Sequence, residues 1–262
     1  MLRQRVSTAL IALAVLMTVM FVVPANAAKA FIGLLVVGGA WEWSGFLGGN
    51  DSIERPLFVG LIAILVLLTG FSLPAAAPTI LLISLGWWLL ALVWTFVFPT
   101  TIARPLRWVC GVLVLLPLFV ALVTLYTASP VTLLFALLVV WAADVGAYFA
   151  GKQFGRVKLA PAISPGKTWE GVLGGLAVVA GVAAGFALIR DLPLAVLIPF
   201  SMAAAALSVV GDLTVSMFKR TVGLKDSGTL FPGHGGILDR VDSVSAAAPL
   251  FALGLGFTGL SA

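Results

Sequence analysis

Nine apolar stretches, at about 6–24, 27–47, 56–73, 79–98, 108–128, 131–150, 171–189, 193–216 and 244–260, divide this chain of 262 residues and dictate what it can become. Each approaches the roughly 20 apolar residues that a helix needs to cross about 30 Å of hydrocarbon. Inside that layer every backbone amide must find its partner within the protein, which leaves only helices and closed barrels. Hydrophobic residues make up 61% of the chain and charged residues 10%, too apolar for a water-facing surface. The expected fold is all-α: a polytopic integral membrane helical bundle of about nine transmembrane helices. Residues 1–128 form the N-terminal transmembrane helices, and 129–262 a C-terminal transmembrane catalytic region with polar segments at 151–170 and 217–243.

The 15 Lys and Arg residues orient the bundle. With a cytosolic N-terminus, the inner segments hold Arg3, Arg5, Arg55, Arg104, Arg107, Lys152, Arg156, Lys158, Lys167, Lys219, Arg220, Lys225 and Arg240. Only Lys29 and Arg190 fall outside. Such asymmetry is what the positive-inside rule demands, so the net charge of +5 reads as topology rather than as a nucleic-acid partner. A bacterial inner (plasma) membrane protein with its polar segments in the cytosol is expected. The competing reading is a signal peptide cleaved after Ala25-Asn26-Ala27. Its apolar stretch is long for a signal core, and eight remaining helices starting outside would still leave every later loop on the same side.

Carboxylates are scarce, and one at mid-membrane costs about 2.5–3.5 kcal/mol. Glu42, Asp144 and Asp212 lie near the inner ends of the second, sixth and eighth spans, and Glu170 opens the seventh. Glu42, between Trp41 and Trp43, reads as a side chain that reaches interfacial water. Asp212 does not, because Ser216 and Lys219 share its helical face and Arg220 follows. Further on, Asp239 and Asp242 share a face if their stretch is helical, a spacing that suits a hard cation. One Cys, Cys110, and one His exclude a disulfide framework and a zinc site. His234 alone is weak evidence, but its flanking glycines let backbone N–H groups approach an anion.

In the stretch Ser164-Pro165-Gly166-Lys167-Thr168, Ser164 can be an N-cap and Pro165 the first helical residue. With Lys167 and Thr168 beside those free N–H groups, a phosphate cradle is expected. It is no Walker A loop, because Pro161 stands where a glycine is required. Gly254-Leu255-Gly256-Phe257-Thr258-Gly259 mimics a dinucleotide fingerprint but lies inside the last span with no strand before it. Glycines at 171, 175, 181 and 185 on the seventh span suit close packing of a neighbouring helix within the chain, with a homodimer as the lesser use.

Ser216, Lys219-Arg220, Lys225-Asp226, Pro232, His234-Gly235-Gly236 and Asp239-Arg240-Val241-Asp242 together reproduce the signature of the phosphatidate cytidylyltransferases (CDP-diacylglycerol synthases). The resemblance extends through Asp144–Tyr148 and Ser164–Glu170, and so covers roughly residues 130–262. It implies that CTP and phosphatidic acid are converted to CDP-diacylglycerol and diphosphate in phospholipid biosynthesis. It further implies Mg²⁺, with room for a second cation, on Asp144, Asp212, Asp239 and Asp242. Catalytic roles would fall to Asp212, Lys219, Arg220, His234, Asp239 and Arg240, and substrate binding to Ser164, Lys167, Thr168, Lys225, Gly235 and Gly236. The alternatives are a related CTP-dependent lipid or polyprenol phosphotransferase and, from another class, a transporter. A transporter would carry charged groups near mid-membrane in both halves of the chain, and the first half has almost none.

Overall fold

Each apolar stretch becomes a helix. The computed structural model describes residues 2–48, 53–72, 74–230 and 235–260, which hold nine α-helices: α1 (Leu2–Phe21), α2 (Ala25–Ser44), α3 (Glu54–Leu67), α4 (Ala77–Val97), α5 (Arg104–Ala128), α6 (Pro130–Phe154), α7 (Trp169–Arg190), α8 (Leu194–Thr221) and α9 (Leu238–Thr258). Seven of these, α2 and α4 to α9, are long and apolar enough to cross a membrane. The nine expected stretches thus correspond to nine helices, seven of which reach spanning length among the described residues. Within α1 the apolar part is Leu10–Phe21, and α3 has 14 residues. The third stretch holds Gly70 and ends at Pro74, and its helix loosens into a π turn over Leu68–Ser72.

Short connections force neighbours to run antiparallel, which sorts the charged residues to one end. There the last turn of α2 meets the start of α5: Trp43 Nε1 donates to the Arg107 carbonyl at 3.0 Å, and Arg107 donates to the Phe46 and Ile102 carbonyls. At the opposite end Thr132 donates to the Leu260 carbonyl at 2.7 Å. Ser129 caps α6 from just before Pro130, the arrangement that suits a helix start.

Two close approaches set the geometry of the charged end. On α7, a Cβ at Gly171 or Gly175 would run into the backbone of α6 at Ala147 and Ala143. Gly181 and Gly185 face open space, so the expectation of intramolecular packing holds for the first pair and not the second. On α8, a Cβ at Gly211 would strike the Asp242 carbonyl, so the bare glycine lets α9 lie directly against α8 beside Asp212.

Both polar segments contain regular structure among the described residues. Residues 158–168 form an antiparallel hairpin, β1 (Lys158–Ala160) with β2 (Ser164–Thr168), paired Lys158 to Thr168 and Ala160 to Ser164. This corrects the reading of Ser164 as an N-cap and Pro165 as a first helical residue. The cap of α7 is Thr168, whose hydroxyl accepts from Gly171 N at 3.1 Å. At the other segment α9 begins at Leu238 rather than near 244, so Asp239 and Asp242 stand in its first turns and not in a loop.

Candidate active site

The site is assembled at the charged end from α2, the β hairpin, α8 and the first turns of α9. Lys167 on β2 reaches back to Asp212, with Nζ at 2.5 Å from Oδ2. Ser216, one turn further along α8, donates to Asp212 Oδ1 at 3.1 Å, so the face inferred from the i, i+4 spacing exists. Lys219, the next residue on that face, pairs with Asp239 at 2.7 Å, both side chains 8% exposed. Asp144 and Asp242 both lie within electrostatic reach of Asp212 and Lys167. Asp242 is buried, whereas Asp144 is open.

Other expected site residues have more local partners. Arg220 donates through Nε to the Ile163 carbonyl at 3.2 Å and through Nη1 to the Leu224 carbonyl at 3.0 Å, bracing the hairpin against the turn after α8. Thr168 is buried as a helix cap, and Ser164 lies in β2. Lys225 is exposed in the turn after α8, and Arg240 is exposed near Asp144. Gly235 takes a φ of +82°, and Gly236 N donates to Asp239 Oδ2 at 2.9 Å. His234 lies outside the described residues.

Sequence reasoning mistook Glu42. The side chain does not reach to water but is buried against the start of α9. Oε1 accepts from Ile237 N at 2.8 Å, and Oε2 accepts from Leu238 N at 2.7 Å and from Ser227 Oγ at 2.9 Å. Ser227 N in turn donates to Asp239 Oδ2 at 2.9 Å. Spacing along the chain carries no signal for the Glu42 contacts, because their partners are 185 to 196 residues away.

A cavity of about 710 Å³ opens onto the same cluster. Its walls are apolar residues of α1, α2, α5 and α6, including Leu16, Met20, Ile32, Leu122, Leu137 and Val140. Its polar end is made by Asp144, Asp239, Arg240 and Asp242. Between Asp144 and Leu133, near its far end, α6 rises about 16 Å. The groove therefore descends from the charged end into the hydrocarbon depth. Among the described residues no group of three or more His, Cys, Asp or Glu side chains is gathered around a common metal position.

This juxtaposition of phosphate-ready cations, clustered aspartates and an apolar groove agrees with the sequence comparisons. The pattern of the cytidylyltransferase family matches residues 3–257. The chain belongs to that family. The phosphatidate cytidylyltransferase of Pseudomonas aeruginosa is 41% identical over 261 residues, covering 96% of each chain. That of Haemophilus influenzae is 38% identical over 280 residues, covering 96% of this chain and 97% of its own. A shorter match, 48% over 126 residues, links 47% of this chain to 46% of the phosphatidate cytidylyltransferase of Brucella suis. The likeness is not confined to the second half, as the motifs alone suggested, but runs through α1 to α5 as well.

Proposed function

We propose that this chain is a phosphatidate cytidylyltransferase, which joins CTP and phosphatidic acid into CDP-diacylglycerol and diphosphate. The observation that carries this reading is the apolar groove ending on Arg240 and the aspartates. A diacyl phosphate has the same two-part character: apolar chains and one anionic head. In the bilayer the groove supplies shape rather than a hydrophobic drive, since lipid tails are already in an apolar medium. Arg240, Lys167 and Lys219 supply what the bilayer lacks, cations for phosphate oxygens.

In the reaction a phosphate oxygen of phosphatidic acid attacks the α-phosphorus of CTP, the bond from that phosphorus to the bridging oxygen breaks, and diphosphate leaves. An ionised phosphate monoester is already a nucleophile, so no strong general base is required. The protein's task is to align two anions and offset their charge. Lys167, Lys219, Arg220, Lys225 and Arg240 share that task, with His234, Ser164 and the Gly235 N–H as further contacts to phosphate oxygens, whereas the Gly236 N–H is engaged with Asp239 and Thr168 with the cap of α7.

Asp144, Asp212, Asp239 and Asp242 would hold Mg²⁺, with a second cation beside it. Their donor set is oxygen only, and Mg²⁺ is usually bound by one or two carboxylates together with substrate phosphates, so no preassembled cage is needed. When bound, it offsets negative charge on the departing diphosphate. The charged end would face the cytosol of a bacterial inner membrane, where CTP is made.

The test is diphosphate release by the purified protein in lipid nanodiscs with Mg²⁺. Turnover is expected only with CTP and phosphatidic acid together. Equal turnover with ATP or GTP, or with a polyprenyl phosphate in place of phosphatidic acid, contradicts the assignment.

A further inference from the structure

We infer that Glu42 is a positioning residue for cytidylyl transfer: from α2 it caps α9 and ties down the segment that leads into it. The inference rests on the reading above for what α9 does, and on geometry alone for how Glu42 holds it. Ile237 occupies the N-cap position of α9 and has no side-chain oxygen to satisfy the free N–H groups of the first turn. Glu42 provides both oxygens from another helix, one to Ile237 N and one to Leu238 N. The positive end of the α9 dipole faces this carboxylate, which accounts for an anion 9% exposed within an apolar bundle.

The same carboxylate also accepts from Ser227 Oγ, at the other end of the 227–237 segment. Asp239 grips those two ends a second time, through Ser227 N and Gly236 N, while its other oxygen holds Lys219. Two carboxylates thus hold Ser227 and residues 236–238 together. A Cβ at Gly228 or Gly236 would overlap the Glu42 carboxylate, so both glycines are explained by how closely the backbone wraps it. The first turn of α9 carries Asp239, Arg240 and, one residue further, Asp242. Its height and rotation against Lys219 and Asp212 are therefore set from the N-terminal half of the chain, by a carboxylate whose oxygens are taken up by three protein donors.

The substitution Glu42→Gln keeps size and polarity but turns one acceptor into a donor that faces another donor. Three measurements on the full chain in nanodiscs are needed: thermal unfolding, hydrogen exchange of peptides spanning 227–241, and kcat and KM for each substrate. Wild-type turnover of CTP with phosphatidic acid is established first, and its absence overturns the function rather than the clamp, which hydrogen exchange tests without substrate. Glu42→Gln is expected to speed exchange in 227–241 about tenfold while other helices keep their protection. It should also raise KM for CTP about fivefold or more, with a fall in kcat, because misplaced phosphate groups bind as well as react less well. Glu42→Asp should recover part of both effects, since it restores the charge on a shorter arm. A merely structural role lowers the amount of active protein, which reduces apparent kcat and leaves KM untouched. Unchanged exchange in 227–241, or a loss of kcat with the wild-type KM, overturns the inference. Should Glu42→Gln not fold, Ser227→Ala decides: it removes one of the three bonds and is expected to show the same changes at about half the logarithmic size, and wild-type exchange and KM in that variant refute the clamp.

Discussion

Replacing Asp212 by Asn separates a carboxylate needed for the chemistry from one that only neutralises a lysine. Asn keeps an oxygen for Ser216 but gives up the ion pair with Lys167, which is 2.5 Å long with both side chains 26% exposed. That exposure puts the pair between a surface contact, worth up to about 1 kcal/mol, and a buried one, whose breakage costs about 3–5 kcal/mol. Loss of the pair is partly offset by relief of repulsion from Asp144 and Asp242. A net destabilisation of about 1 kcal/mol follows, or roughly 2–4 °C in Tm for a chain of this size. If Asp212 holds the cation and through it the triphosphate, the loss in kcat is about 100- to 1000-fold, equivalent to roughly 2.7–4 kcal/mol. Diphosphate release and thermal unfolding, measured on one preparation, compare the two numbers directly. Raised Mg²⁺ should recover part of the activity. The double variant Lys167→Met with Asp212→Asn should be no more active than Asp212→Asn alone. Near-normal turnover in Asp212→Asn, or its restoration in the double variant, refutes the assignment and leaves Asp212 as the partner of Lys167.

Four further outcomes are expected. In a Cys110→Ala background, Lys158→Cys and Asp226→Cys should resist an impermeant thiol reagent applied to sealed cells, while Asp191→Cys is labelled; the reverse pattern inverts the topology. Gly211→Leu should drive α9 off α8 and lower Tm by the equivalent of about 2 kcal/mol or more, whereas Gly181→Leu, which meets no neighbour, should change it by less than about 0.5 kcal/mol. Leu137→Trp narrows the groove, and at roughly 1–2 kcal/mol of overpacking against an acyl chain it should raise KM for phosphatidic acid about 5- to 30-fold without changing KM for CTP. Thr168→Ala should cost about 1 kcal/mol as a lost N-cap, and Ser164→Ala nothing measurable in the stability of α7.

What the sequence made legible was whatever the bilayer itself enforces. Helix placement followed from hydrocarbon thickness, and the gathering of Asp144, Asp212 and Asp239 at one end followed from the antiparallel order of the spans. The failures share one cause, a partner that the local sequence pattern does not reveal. Ser164 before Pro165 suits an N-cap and equally suits an extended residue, and only the pairing of β2 with β1 chooses between them. The start of α9 was hidden because its N-cap is Ile237, a residue type that signals no helix start, and the capping groups come from Glu42. Glu42 itself, flanked by tryptophans, looked like an interfacial residue because nothing in α2 reveals which helix end it faces. The short third helix was visible in principle, since Gly70 and Pro74 interrupt its apolar run.

The two lysine–aspartate pairs, Lys167 with Asp212 and Lys219 with Asp239, have a consequence for how a charged reaction can be run at a membrane surface. Before substrate arrives, these two lysines already have anions, so neither is left as a lone charge against the hydrocarbon. If nucleotide phosphates bind at this end as proposed, they would compete with Asp212 and Asp239 for these lysines, and the carboxylates released would be available to a cation. Such an exchange would leave neither lysine and neither aspartate of the two pairs without a partner, which limits the electrostatic cost of holding them there. Departure of the phosphates would then return the lysines to their aspartates.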